Sequence, residues 1–68
     1  MTFTITLLRD EDDQVIAECP AIPGCVSQGR TEQEALDNIR SAIRECLAVR
    51  AELGLPLTVA TRQIDIAV

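Results

Sequence analysis

Residues 20–53 leave the chain little freedom. Within that stretch lie a tight turn, a short strand, a helix start signal and one long amphipathic helix. Pro23-Gly24 is a turn dipeptide: proline presets φ near −65° at the second turn position, and glycine accepts φ > 0 at the third. Pro20 cannot donate to a ladder, so one strand ends at Cys19 and another begins at Cys25. The strand that begins at Cys25, the third in chain order, covers residues 25–28 and closes at Gly29. Thr31-Glu32-Gln33-Glu34 then fits a capping box, in which the Thr31 hydroxyl accepts from the Glu34 amide and the Glu34 carboxylate returns to the Thr31 amide.

The helix is expected over residues 32–53. Ala35, Leu36, Ile39, Ala42, Ile43, Cys46, Leu47 and Leu53 recur at helical spacing and fill one arc at roughly 100° per residue. Glu32, Glu34 and Asp37 stand where the helix dipole favours anions. Gly54 supplies the stop and Pro56 prevents continuation. Such a helix must bury its apolar stripe against something, and the remaining residues read as strands.

Residues 2–8 form the first of these, with Phe3, Ile5 and Leu7 alternating with Thr2, Thr4 and Thr6. The apolar set is expected to meet the helix. Residues 14–19 form the second, with Val15, Ala17 and Cys19 on one side and Gln14, Ile16 and Glu18 on the other. Residues 62–68 form a fourth, with Ile64, Ile66 and Val68 alternating with Gln63, Asp65 and Ala67. A right-handed crossover would lay that strand beside the first. The expected fold class is therefore α+β, in the order β-β-β-α-β: an antiparallel three-stranded meander packed on one long helix, plus a C-terminal strand, in one domain over 1–68. One face of this sheet stays uncovered and carries Thr4, Leu8, Ile16, Glu18, Val26 and Asp65, and two sheet edges stay open. A domain of 68 residues buries only about 60% of its unfolded surface, so self-association is expected, most simply as a two-fold dimer.

Composition excludes several chemistries. The chain has no histidine, which removes Ser-His-Asp and Cys-His catalysis and every zinc site that needs an imidazole. Asp10-Glu11-Asp12-Asp13 lacks the alternating ligands, glycine and distal glutamate of a calcium loop, so it reads as a solvated acidic turn. Glu18 and Asp65, the acids inside the expected strands, read as outward-facing polar positions rather than an acid–base pair. Cys19, Cys25 and Cys46 all fall on core-facing positions, where a free thiol is often a small buried hydrophobe. A Cys19–Cys25 disulfide across the turn and a metal or redox role are the other readings. The expectations are no catalytic activity, no metal and no cofactor.

A net charge of −5 argues against nucleic acid as the main partner and suits a basic protein. The N-terminus lacks the basic region and apolar core of a signal peptide, and no apolar run approaches the ~20 residues of a membrane span. Cytoplasm is the expected compartment. Arg50 stands inside the apolar arc of the helix. Either its stem packs while the guanidinium reaches the last carbonyls, or it pairs with an acid of a partner subunit. Glu18, Arg50 and Asp65 are the residues expected at a partner or subunit interface.

The run from Pro20 through Pro23-Gly24-Cys25, Gly29-Arg30-Thr31 and Glu34-Ala35, with Asn38, Ile43 and the later Gly54-x-Pro56, resembles the HicB-like antitoxin family. The resemblance implies a partial ribonuclease-H-like β-β-β-α-β fold and oligomerisation. It also implies a HicA-like partner, a small basic RNase toxin with a catalytic histidine, inhibited by covering its RNA-binding and catalytic surface. Many HicB antitoxins add a C-terminal DNA-binding domain. None is expected in a chain of this length, so no direct DNA binding is expected either. The alternative is a stand-alone oligomeric HicB-like module without catalytic or DNA-binding activity.

Overall fold

In the computed structural model, which describes residues 1–68, the turn forms as its residues dictate. Gly24 has φ +77°, and the Cys25 amide donates to the Ile22 carbonyl at 3.1 Å, so the glycine occupies the position a type II turn reserves for positive φ. Ile22 itself donates to Cys19, and Cys19 to Cys25, which carries the pairing of the two flanking strands into the turn. These strands are β2 (Val15–Glu18) and β3 (Val26–Gly29). With β1 (Thr6–Arg9) they make an antiparallel sheet in the order β1-β2-β3.

A single helix follows, α1 (Glu32–Glu52). Thr31 caps it with extended backbone, its hydroxyl accepting from Glu34 N at 3.1 Å. The return half of the expected capping box is displaced by one residue. The Glu34 carboxylate accepts from the Arg30 amide at 3.4 Å rather than from Thr31. At the other end, Gly54 N–H donates to Ala51 and Leu55 N–H to Arg50, with Gly54 at φ +68°. This is the Schellman arrangement, and it satisfies two carbonyls that the helix leaves open.

Gly29 joins sheet to helix. A Cβ built there would stand 2.5 Å from the Ala35 nitrogen and 2.9 Å from the Glu34 carbonyl carbon, so only glycine permits this approach. The core forms immediately beside it: Val15, Ala17, Cys19, Ile22, Cys25, Ala35 and Ile39 are buried as one cluster. The core side expected for β2 is the buried side. Phe3, Ile5, Leu36, Ala42, Ile43, Cys46 and Leu47 pack at its margin.

The helix and the sheet differ in length. Twenty-one helical residues span about 32 Å, whereas four-residue strands span about 13 Å. The C-terminal turns therefore overhang the sheet, and Val49 and Leu53 are exposed, the latter against expectation. The helix packs on β3 and β2 and scarcely meets β1. The first strand is accordingly shorter than residues 2–8: Phe3 and Ile5 reach the core from the segment before it, and Leu7, on the same face of the sheet as Ala17, is left partly exposed.

The expected C-terminal strand is not formed. Val59 N–H donates to the Ala21 carbonyl at 2.8 Å, which ties the chain to the β2–β3 connection; Thr61, Arg62 and Gln63 then border a hollow with Thr4, Pro20 and Ala21, and residues 64–68 stand exposed beyond it. The radius of gyration, 13.5 Å, exceeds the roughly 11 Å of a compact chain of this length, as a projecting segment requires.

Gly29→Ala is expected to cost about 2 kcal/mol, because backbone rather than a flexible side chain blocks the added methyl. Thr31→Ala is expected to cost about 1 kcal/mol as a lost cap. Urea denaturation followed by helical circular dichroism checks both, and an unchanged midpoint for Gly29→Ala contradicts the close approach.

Candidate interaction surface

Strand register assigns every sheet residue to a face. Thr6, Glu18 and Val26 make one cross-strand row, and Leu8, Ile16 and Gln28 make another. Both rows lie opposite the rows Leu7–Ala17–Ser27 and Arg9–Val15–Gly29, which face the helix. No element covers the first two rows. Leu8 is 58% exposed and Val26 50% exposed, with Ile16 half-buried between them. The face is thus a short apolar strip bordered by the Glu18 carboxylate, as the sequence pattern implied for Leu8, Ile16, Glu18 and Val26.

Asp65, expected on the same face, stands instead on the exposed C-terminal segment. Arg50 is engaged by its own chain: its Nε donates to the Pro56 carbonyl at 2.6 Å. That bond holds the segment after the helix and lines a hollow of about 390 Å³ with Pro23, Cys46, Val49, Leu53 and Leu55. Glu18, Arg50 and Asp65 therefore lie on three separate elements, and no ion pair joins them. The ion pairs present, Arg9–Asp13 and Arg40–Asp37, are solvent-exposed and contribute little.

The acidic loop has a structural explanation. The Asp10 carboxylate accepts from the Asp12 and Gln14 amides at 2.9 Å each, closing the β1–β2 connection. Asp13 takes φ +62°, a conformation aspartate tolerates better than most residues.

The three cysteines meet in the core and all are free, without the Cys19–Cys25 disulfide. Burial pushes the Cys25 thiol up from 9.0 to about 12, with further upward contributions from the neighbouring Cys46 and Cys19 thiols. Protonated thiols packed among Val15, Ile22 and Ile39 act as small apolar groups. No cluster of cysteine, aspartate or glutamate has the arrangement of a metal site.

The residues that sequence reasoning missed are Val59 and Pro56. They anchor the segment after the helix through backbone groups, which leave no mark in side-chain patterning.

Because the folded pKa of Cys25 lies above its unfolded value, folding retains a proton that the unfolded chain releases. The stability so gained is complete below about pH 9 and is lost as the pH rises toward 12. The urea midpoint should fall over that range, and Cys25→Ala should flatten the fall. An equal fall in the variant assigns it to other groups.

Three similar proteins share much of the chain. UPF0150 protein Ta0767 of Thermoplasma acidophilum is 48% identical over 44 residues, covering 65% of this chain and 64% of the relative. UPF0150 protein ssr1258 of Synechocystis is 44% identical over 45 residues, covering 66% and 65%. A UPF0150 protein of Archaeoglobus fulgidus is 32% identical over 50 residues, covering 74% and 72%. The chain thus spans just under two thirds of the first two relatives and more of the third. No family model and no solved structure matches it. No helix is long and apolar enough to cross a membrane.

Proposed function

The chain belongs to the UPF0150 family, and we propose that it is a protein-binding module, the antitoxin of a toxin–antitoxin pair that masks a small basic HicA-like RNase. The observation that carries this reading is the uncovered sheet face. An acidic chain presents there an apolar strip of Leu8, Ile16 and Val26 beside Glu18, which suits a basic protein surface and offers no catalytic group. Apolar side chains supply the buried centre of such an interface, and the excess negative charge steers a cationic partner toward it. The HicB resemblance of residues 20–56 supplies the partner class and the ribonuclease-H-like topology, which a fourth strand beside β1 would complete. For this role the module needs no metal or cofactor, and it acts in the cytoplasm.

A second reading, a stand-alone oligomeric module, is favoured by the exposed apolar C-terminal segment.

Co-expression of the tagged chain with a short basic reading frame beside its gene separates the two. The antitoxin reading predicts a stable complex in which RNA cleavage is suppressed. It further predicts that Val26→Asp, at a position already open to solvent, releases cleavage while helical circular dichroism is kept. Cleavage that proceeds unchanged in the presence of the chain overturns it.

A further inference from the structure

We propose that residues 62–68 of one copy add as an edge strand to β1 of a second copy, and that two chains exchange these arms reciprocally. The inference deepens the oligomer reading above and does not rest on the toxin.

The arm is built as a strand but pairs with none in its own chain: Arg62 and Gln63 border a hollow with Thr4, Pro20 and Ala21 without a backbone hydrogen bond to them. Ile64, Ile66 and Val68 alternate with Gln63, Asp65 and Ala67, yet Ile64 is 79% and Ile66 68% exposed. The one hydrogen bond the arm makes is local, from Arg62 Nη1 to the Thr61 carbonyl. Exposed, β-branched and alternating residues of this kind pair with whatever edge is offered.

The edge on offer is β1. It pairs with β2 on one side and with nothing on the other. The opposite edge strand, β3, lies under the helix, whose Asn38 amide donates to the Gln28 carbonyl at 2.8 Å. Beside the segment that leads into β1, on the helix side, opens a hollow of about 420 Å³ lined by Phe3, Ile5, Leu36, Ile39 and Ile43 among others. A strand laid along β1 presents alternate residues to the two sheet faces. Ile64, Ile66 and Val68 would then enter this apolar hollow. Gln63 and Asp65 would join the Thr6–Leu8 face. Seven residues reach about 23 Å, enough to follow β1 and the segment before it.

A second copy is the occupant because each chain carries both halves of the contact, one arm and one vacant edge. A two-fold pair satisfies both and closes, leaving no further arm to propagate. Within one chain Ile64, Ile66 and Val68 stay exposed, while the root of the arm is held at Ala21 by Val59.

The test combines three measurements on the full chain. Light scattering gives the mass, expected to be that of two chains. The double variant Ile64→Asp/Ile66→Asp, at positions exposed in the single chain, is expected to halve that mass with helical circular dichroism unchanged. Isotope-filtered NOEs on a mixture of differently labelled chains are expected to place arm protons against Phe3 and Ile5 of the other chain only. A dimer unmoved by the variant, or NOEs within one chain, overturns arm exchange and leaves the oligomer reading standing. A wild-type monomer overturns both.

Discussion

The close approach at Gly29 is the constraint on which the rest of the structure depends. Without a side chain at that position, the last residue of β3 lies against the Ala35 nitrogen and the first helical turn sits directly on the sheet. Thr31 can then cap the helix, and Ala35 and Ile39 drop between Val15, Ala17 and Cys25. Two turns of helix, β2 and the connection that carries Cys19, Ile22 and Cys25 make the whole buried apolar core. The type II turn at Pro23-Gly24 serves the same end, because it returns β3 alongside β2 in the register that puts Gly29 opposite Val15.

From that constraint follows what the fold leaves unfinished. A helix docked by its N-terminal half on four-residue strands must overhang them, and it cannot also cover β1. The consequences are an apolar strip on the bare sheet face, a vacant edge along β1, a hollow beside Phe3 and Ile5, and an arm carrying Ile64 and Ile66 into solvent. For a chain of 68 residues these are large fractions of its apolar surface, and association is the ordinary way to bury them. The proposed functions of binding a basic partner and pairing with a second copy use different parts of this surface. The sheet face serves the first, and the edge with its arm serves the second.

Local chemistry was legible in the sequence wherever a residue type admits few conformations. Gly24 takes the positive φ that the Pro-Gly dipeptide requires, Thr31 caps the helix, and Gly54 ends it. The period-2 pattern of Val15, Ala17 and Cys19 identified the core side of β2, and the three cysteines do converge in the core. Association of distant segments was not legible. Ile64, Ile66 and Val68 announce a strand but not its partner, since alternation specifies a face and not a neighbour. Arg50 shows the same limit. Its place in the apolar arc was plain, but whether it met its own carbonyls or a partner's acid depended on the path of the chain to Pro56.

Amide hydrogen exchange on the full chain, at a dilution where single chains prevail, tests this account most directly. The docking at Gly29 predicts that the slowest amides lie in β2, β3 and the helical turns from Ala35 to Ile43, and that they exchange together. Amides of β1 are predicted to exchange faster, and those of residues 62–68 as freely as in an unfolded peptide. Protection of residues 62–68 equal to that of β2 in the single chain would contradict it, for the fold would then be closed without a second copy.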